Sequence, residues 1–249
     1  MRRSWGSGVG NTSWWKCSSA VAKYDVFVKS VRRIDKMSKE NDLTIEVYNK
    51  FGDRYLKRNE EALVENPKAL ADDERQRMIL REYVEGLSKD AKIFEVGSAG
   101  GRDARFFLKL GYKNIIVSDI ADYFLNELRK EGFEPVKFNL ITDEFKDKYD
   151  FIFCWAVLVH FTKTEAKEAI FKMYDALNDG GRLAFCVKHK EGVEEEWGDY
   201  KGMIGAKRFF SYWTVEEVKS FMERLNLRNM KIAKHGGARA CWIECYGEK

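Results

Sequence analysis

The feature that most constrains the fold of this chain is a regular alternation of short apolar runs and amphipathic segments from residue 92 onward. The apolar runs have the length and composition of strands, whereas the segments between them repeat their apolar positions like helices. Alternating strands and helices build a parallel sheet with helices packed on both faces. The strands are predicted at 92–96, 115–118, 136–138 and 151–154, and the first helices between them at 102–110 and 122–131.

The C-terminal part of the chain extends this pattern and then changes it. A turn at 178–181 precedes a strand predicted at 182–187. The last two strands, predicted at 231–234 and 240–246, are separated by a glycine pair in a connection short enough for a hairpin. We therefore predict an α/β fold: a doubly wound, mostly parallel seven-stranded sheet with a C-terminal antiparallel hairpin and helices on both faces.

Two helix starts are marked by capping boxes. Thr162 is followed by Glu165, and Thr214 by Glu217, at the spacing at which each side chain can accept from the other residue's backbone N–H. Each pair precedes a helical pattern, so we predict helices that begin just after Thr162 and Thr214.

The start of the chain lacks this regularity. Residues 1–22 are rich in Ser, Gly and Trp, so residues 1–40 are interpreted as a disordered or loosely helical N-terminal extension. The α/β domain is assigned to 41–249, and its first two helices are predicted at 43–58 and 72–87.

The charge of the chain disfavours a nucleic-acid partner. The net charge is +4, and residues 1–24 contain four basic side chains and no acidic one. Without those four, 40 of the 44 basic side chains remain, against 40 acidic ones. Proteins that bind nucleic acid usually concentrate positive charge on one face, and this balance gives no such excess.

The cysteine, histidine and apolar content of the chain disfavours a metal-binding protein, a membrane-spanning protein and a secreted protein. The five cysteines form no C-x-x-C pair, and the three histidines are not at metal-ligand spacing, so no metal site is predicted. Free thiols are typical of a reducing compartment, and we expect a cytoplasmic protein. No apolar run approaches the roughly 20 residues of a membrane span, and no secretory signal is expected near the start.

A turn of small residues after the first predicted strand marks a candidate nucleotide site. Gly97, Ala99 and Gly101 alternate there, and such residues let the backbone approach a ligand and direct N–H groups at it. Glu95 precedes the turn, and the second strand ends at Asp119, an acid suited to the two hydroxyls of a ribose. A dinucleotide-binding fold shares both features.

Two details favour S-adenosylmethionine over a dinucleotide. The dinucleotide fingerprint that starts at Gly97 requires a small residue where this chain has Arg102. Glu95 lies two residues before the first glycine, where a carboxylate accepts from an ammonium group but repels a pyrophosphate. The amino-acid end of S-adenosylmethionine carries such an ammonium.

The turn resembles the glycine motif of class I S-adenosylmethionine-dependent methyltransferases, acidic-x-Gly-x-Gly-x-Gly, with Ala99 in place of the middle glycine. The resemblance continues through the ends of the second to fourth strands, the Gly180–Gly181 pair and the segment around Trp213, and covers roughly 43–249. The order and spacing of these motifs look like those of small bacterial and archaeal-type methyltransferases that act on small molecules.

The resemblance implies how the cofactor's amino acid and sugar are held. Glu95, with the backbone of Gly97, Ala99 and Gly101, would bind the methionine moiety, and Asp119 would bind the ribose hydroxyls.

The resemblance also implies contacts to the adenine and the methyl group. Ile120 and Leu140 would cover the adenine, and Asn139 would accept from its amino group. Trp155 and Ala156, just past the fourth strand, would face the methyl group.

Tyr55 matches an aromatic residue of the leading helix that often closes over the cofactor in the family. Structural roles remain open alternatives for some of these residues. Asp119 also fits a helix N-cap, and Tyr55, Leu140 and Trp155 also fit ordinary core positions.

His160 is the leading candidate for a general base, because the family has a histidine there and an acceptor phenol, amine or thiol can require one. A structural histidine fits this position equally well. The acceptor pocket is predicted between the leading helix, His160 and the stretch 188–213, within which the charge-rich 190–207 is interpreted as a solvated loop. The aromatic residues at the end of this stretch suit either an apolar substrate or the core: Phe209, Phe210, Tyr212 and Trp213.

The sequence thus predicts a Rossmann-like S-adenosylmethionine-dependent methyltransferase acting on a small-molecule acceptor, as a monomer or homodimer. The alternatives are an RNA or protein methyltransferase, a non-catalytic S-adenosylmethionine-binding protein and a nicotinamide-dependent oxidoreductase.

Overall fold

The computed structural model describes residues 37–199, 206–237 and 240–249, so most of the predicted extension at 1–40 lies outside the described residues. The first described helix is α1 (Lys39–Glu65), and α2 (Pro67–Tyr83) follows it directly.

The leading helices differ in their bounds from the sequence prediction because their caps lie outside the amphipathic stretches. Ser38 caps α1 by accepting from the Asn41 N–H, five residues before Leu43, where the predicted helix begins. Asn66 accepts from the N–H groups of Lys68 and Ala69, so α2 begins at Pro67 rather than at residue 72.

The main sheet confirms the predicted fold class. Its seven strands lie in the order β3-β2-β1-β4-β5-β9-β8, in which β1 to β5 are parallel, β9 is antiparallel to β5, and β8 is antiparallel to β9. Chain order reverses between β1 and β4, and ligands of open α/β sheets bind in the crevice at such a point. The strands are β1 (Ile93–Val96), β2 (Ile115–Asp119), β3 (Val136–Lys137), β4 (Tyr149–Cys154), β5 (Leu177–His189), β8 (Arg228–Gly236) and β9 (Cys241–Glu248).

Four helices connect these strands, and both predicted capping boxes are present. The Thr162 side chain accepts from the Glu165 N–H while the Glu165 carboxylate accepts from the Thr162 N–H, and Thr214 and Glu217 do the same. Glu165 also accepts from the backbone N–H of Ser38, so the start of α1 is attached to the start of a sheet-packed helix. The helices are α3 (Arg102–Lys109), α4 (Asp122–Lys130), α5 (Lys163–Asp175) and α6 (Val215–Arg224).

The prediction of a solvated loop at 190–207 was wrong for part of that segment. Its residues contribute β6 (Glu195–Asp199) and the start of β7 (Lys207–Ser211), which form a separate antiparallel pair. The pattern is invisible in the sequence because β6 is charged, contains Gly198 and shows no apolar run.

The prediction of a turn at 178–181 before the strand was also wrong. These residues lie inside β5, where the register between β4 and β5 shifts between Tyr149 and Phe151. Gly180 has φ +76°, so the strand carries a local irregularity that glycine tolerates rather than ending in a turn.

The core beneath the crevice is largely aromatic. The ring of Phe107 in α3 packs edge-on against Phe151 and Phe153 of β4, with centroids 6.0 and 5.7 Å apart. All three side chains are fully buried, and each contributes about 1.5–3 kcal/mol through burial. Ile152, on the opposite face of β4, is also fully buried, so the strand is covered on both faces, as its unbroken apolar run predicts. No helix in the described part of the chain combines the length and apolar composition that a membrane span requires.

We expect Thr214→Ala to lower the free energy of unfolding by about 0.5–2 kcal/mol, because the first turn of α6 loses the hydroxyl that accepts from the Glu217 N–H at 3.1 Å. Urea denaturation measures the change. Thr214→Ser retains the hydroxyl and serves as the control. An equal loss in both variants would contradict the capping role.

Candidate active site

A cavity of about 110 Å³, open to solvent, lies at the carboxyl ends of β1, β2 and β4, the edge of an open α/β sheet at which ligands bind. Its wall brings together ten of the twelve residues predicted for the site, and only Glu95 and Gly101 lie outside its lining. The ten are Tyr55, Gly97, Ala99, Asp119, Ile120, Asn139, Leu140, Trp155, Ala156 and His160.

The turn after β1 approaches the segment after β4 very closely. Gly97 has φ +72°, and a Cβ added there would overlap the Val157 side chain, so this position requires glycine for two reasons. Ala99 occupies the left-handed region with φ +45°, which costs an alanine about 1 kcal/mol or more and explains the glycine usual in the motif. Strained backbone of this kind clusters at ligand sites.

Asp119 connects the turn to β2 through two backbone hydrogen bonds. Its Oδ2 accepts from the Ala99 N–H at 3.0 Å, and its Oδ1 accepts from the Ala121 N–H at 2.9 Å. Burial raises the pKa of Asp119 to about 6, and these hydrogen bonds limit the rise. The N-cap residue of α4 is Ala121, so Asp119 is not the helix cap that the sequence left open.

Glu95 is buried in the middle of this arrangement with one unsatisfied oxygen. Its Oε2 has no hydrogen-bond partner among the described residues, and its side chain is 3% exposed. Burial, and next the Asp103 carboxyl, raise the pKa of Glu95 to about 8. A buried carboxylate without a partner is costly unless a cation binds to it, so an ammonium group fits this position.

A polar cluster beside Glu95 shows why Arg102 replaces the small residue of a dinucleotide motif. The Arg102 guanidinium donates from Nε to Asp103 Oδ1 at 2.9 Å and lies 3.2 Å from Asp73 Oδ1. Gln76 donates to the other Asp103 oxygen at 3.1 Å. These contacts attach the first turn of α3 to α2.

The adenine end differs in detail from the family expectation. Asn139 lines the cavity, but its Oδ1 already accepts from the backbone N–H groups of Ile141 and Thr142, at 2.9 and 3.4 Å. The oxygen that was expected to accept from an adenine amino group therefore already accepts hydrogen bonds within a local turn. Leu140 and Ile120 lie in the same wall.

Helix α1 supplies an aromatic side to the cavity. The rings of Tyr48 and Tyr55 pack edge-on with centroids 5.3 Å apart, and each lies 5.7 Å from the ring of Phe124. Tyr48 was missed by the sequence analysis, although its spacing of seven residues from Tyr55 places both on one helix face. Trp155 is part cavity wall and part core, because it stacks on Phe153 at 5.3 Å.

His160 has hydrogen bonds at both ring nitrogens. Its Nδ1 lies 2.8 Å from the Phe209 carbonyl, which can only accept, so Nδ1 carries the proton and Nε2 accepts from the Tyr48 hydroxyl at 2.9 Å. Arg208 in turn donates to the Tyr48 oxygen at 2.5 Å. Burial, and next the Arg208 charge, lower the pKa of His160 well below its usual range, so the imidazole is neutral.

The aromatic residues at 209–213 belong to the protein interior. Phe209, Phe210, Tyr212 and Trp213 are all less than 9% exposed, and Phe210 lies 4.9 Å from the His160 ring. The sequence analysis left a substrate contact and a core role open for these four residues, and their burial favours the core role. The described residues contain no cluster of His, Cys, Asp or Glu arranged for a metal ion.

Comparison with known families identifies the class of protein. The profile of a family described as "Methyltransferase domain" matches residues 55–232. The chain therefore belongs to this methyltransferase family. It is an S-adenosylmethionine-dependent methyltransferase with a Rossmann-like fold. A search of curated protein sequences finds no match.

Solved structures share this fold at low sequence identity. Magnesium protoporphyrin IX methyltransferase from Synechocystis, with bound S-adenosylmethionine, has a TM-score of 0.64 at 12% identity and aligns over 87% of this chain and 100% of its own. The 1,6-didemethyltoxoflavin-N1-methyltransferase of Burkholderia thailandensis, with its substrate and S-adenosylhomocysteine bound, has a TM-score of 0.57 at 13% identity and aligns over 98% and 93%.

Glu95→Gln tests two properties that depend on the Glu95 carboxyl group: the pH dependence of the free protein's stability, and the affinity for the cofactor. The folded pKa of about 8 lies above the ordinary 4.5, so the favourable contribution of the proton is present below about pH 4.5 and is lost as pH rises through about 8. We expect the variant to lose this pH dependence, which has a slope of up to about 1.4 kcal/mol per pH unit. We also expect weaker S-adenosylhomocysteine binding, by about 1.5–3 kcal/mol.

Denaturation as a function of pH and calorimetry measure the two effects of Glu95→Gln. Glu131→Gln is the matched control, because Glu131 is an exposed carboxylate that pairs with Arg105. An unchanged pH slope together with unchanged affinity would contradict the role given to Glu95.

Asp119→Ala is expected to weaken S-adenosylhomocysteine binding by about 1–3 kcal/mol, because a charged acceptor is lost and the Ala99 N–H is released. The control is Asp122→Ala, which removes a nearby exposed carboxylate that pairs with Lys137. Calorimetry that gives the same affinity for both variants would exclude the ribose role.

Proposed function

We propose that the protein transfers the methyl group of S-adenosylmethionine to a small-molecule acceptor inside the cavity beneath α1. The observation that carries the proposal is the pair of buried carboxyl groups at the switch point. Glu95 has an oxygen without a partner, and Asp119 lies one strand away at the cavity wall. This arrangement suits a ligand that presents an ammonium group and a ribose.

On this proposal, different residues of the chain bind different parts of the cofactor. The Glu95 carboxylate binds the ammonium, the backbone around Gly97 and Ala99 holds the methionine chain, and Asp119 accepts from the ribose hydroxyls. Ile120 and Leu140 cover the adenine. The cofactor supplies an electrophilic methyl group with a good leaving group, so the protein has to align the acceptor and exclude water.

The size and walls of the cavity support a small acceptor. Helix α1 covers the carboxyl edge of the sheet, and Tyr48, Tyr55 and Phe124 form a continuous aromatic side. Two methyltransferases of the same fold are named for ring systems, 1,6-didemethyltoxoflavin and magnesium protoporphyrin IX. A flat or ring-bearing acceptor fits between these aromatic groups and the backbone of Ala156.

His160 acts as the proton acceptor through Tyr48 on this proposal. The Phe209 carbonyl holds the imidazole in the tautomer that leaves Nε2 unprotonated, and Nε2 accepts a hydrogen bond from the Tyr48 hydroxyl. Arg208 donates to the same phenol oxygen and lowers the cost of a negative charge there. A proton from the acceptor therefore passes to the Tyr48 oxygen as the phenol proton moves to His160.

The location and assembly state complete the proposal. Three of the four free cysteines in the described residues are buried thiols, Cys154, Cys186 and Cys245, in keeping with a reducing cytoplasm. We propose a monomer or homodimer that acts on neither RNA nor protein.

The test is transfer of a labelled methyl group into a cell extract separated into small-molecule, RNA and protein fractions. Calorimetry should first give one S-adenosylhomocysteine per chain and no NAD binding. We then expect label in the small-molecule fraction. Label in RNA or protein would overturn the small-acceptor proposal, and binding without any transfer would favour a non-catalytic protein.

His160→Ala should lower the transfer rate by about 10²–10⁴-fold while leaving S-adenosylhomocysteine affinity nearly unchanged. Tyr48→Phe should have a similar effect, and the double variant should be no slower than the worse single one, because the two groups move one proton. Additive losses in rate would show that Tyr48 and His160 act independently. A full rate in His160→Ala would remove its catalytic assignment.

A further inference from the structure

One side chain of the cavity wall carries a buried polar atom without a hydrogen-bond partner. Asn41 of α1 lines the cavity and is 3% exposed, and its amide Nδ2 has no partner among the described residues. The other described side chains with such an atom, Glu95 among them, lie outside the lining. Leaving a buried donor unpaired is costly, so an unpaired amide at a cavity wall indicates a ligand contact.

Tertiary hydrogen bonds fix α1 on either side of Asn41. On the N-terminal side, the Ser38 N–H donates to Glu165 Oε1 at 2.8 Å, and on the C-terminal side, the Thr44 hydroxyl accepts from the Phe209 N–H at 3.1 Å. The Asn41 backbone is thus held between α5 and β7, while its terminal amide can turn about a soft torsion. The amide is therefore in place before a ligand binds.

Asn41 lies on the same face of α1 as the proposed proton relay. Asn41, Ile45 and Tyr48 follow the spacing that places residues on one helix face, and all three line the cavity. The helix rises about 10 Å between Asn41 and Tyr48. An acceptor whose reacting atom lies beside Tyr48 therefore extends along this face toward Asn41.

The cavity wall offers no positive charge to an acidic acceptor. The described residues that line it include no Lys or Arg. His160 is neutral, because burial, and next the Arg208 charge, lower its pKa well below the usual range. Met37, Ile45 and Phe161 add apolar surface to the same wall. Burying an ion without a partner is costly, so the wall favours an uncharged group.

We propose that Asn41 selects the methyl acceptor by donating a hydrogen bond to an uncharged carbonyl oxygen, at the end of the acceptor away from its reacting atom. This inference rests on the proposed function, because it names the substrate class of the same site. A carbonyl oxygen accepts from the amide without bringing a charge or a second donor. A compound of the same shape without that oxygen leaves the amide unpaired and is rejected.

The test titrates three phenols of similar size into protein loaded with S-adenosylhomocysteine: para-hydroxyacetophenone, para-ethylphenol and para-hydroxybenzoate. We expect the neutral ketone to bind at least about tenfold more tightly than the other two. Asn41→Leu removes the amide and should bind the ketone and para-ethylphenol equally. Asn49→Leu is the matched control, because it removes an exposed amide of the same helix from outside the cavity lining, and it should keep the preference.

A ketone that binds no more tightly than para-ethylphenol, or that keeps its preference in Asn41→Leu, would overturn the inference. Tighter binding of para-hydroxybenzoate would overturn the uncharged group. Asn41→Asp replaces the donor with an acceptor and should also lose the preference for the ketone. An undiminished preference in that variant would contradict donation by Asn41.

Urea denaturation of the free protein gives a readout that needs no acceptor. We expect Asn41→Leu to raise the midpoint, because the variant no longer buries an unpaired amide, a gain that residues kept for binding often show. A lower midpoint would assign Asn41 to the packing of α1 and overturn the inference.

The labelled-extract assay separates this inference from the proposed function. Asn41→Leu should lower transfer to the small-molecule fraction at least about tenfold and leave S-adenosylhomocysteine affinity unchanged. Full transfer in that variant would refute the role of Asn41 while the methyltransferase proposal stands. Failure of the unaltered protein to bind S-adenosylhomocysteine would refute the proposed function, and titration of the three phenols into the free protein would still test the Asn41 contact.

Discussion

Much of this site depends on the hydrogen bonds that one buried carboxylate, Asp119, accepts from two backbone segments. They hold Ala99 in the turn after β1 and Ala121 at the start of α4 against the end of β2. The Ala99 backbone is strained at φ +45°, and the Asp119 bond contributes to keeping it there. The same contact brings the turn, the end of β2 and the first residues of a helix into one rigid unit, so the cavity wall is largely formed in the free protein.

Acidic side chains gather around the turn after β1. Three buried carboxyl groups, Glu95, Asp103 and Asp119, lie there, and the pKa of Glu95 rises to about 8. Arg208 lies instead beside the Tyr48 hydroxyl, and burial, and next the Arg208 charge, lower the pKa of His160. A cationic cofactor is attracted to a cluster of carboxyl groups of this kind.

The local signals in the sequence were sufficient for the fold class and for the turn after β1. Capping boxes and glycine turns depend on contacts within a few residues, so Thr162, Thr214 and Gly97 could be assigned from the sequence. The mostly parallel sheet followed from the alternation of strands and helices, whereas its strand order did not. The strand pair β6–β7 could not be predicted, because its short charged strand pairs only with a neighbour and buries little.

The sequence by itself determined the class of fold, the small-residue turn and the acids on either side of it, because those features are set by local periodicity and spacing. Only the tertiary structure decided that Tyr48 meets His160 and that Arg208 meets Tyr48, since these residues come from α1, β7 and the turn after β4 and are up to 160 positions apart. Long-range contacts between polar side chains have no periodic signal, so the acceptor side of the site is defined by packing rather than by pattern.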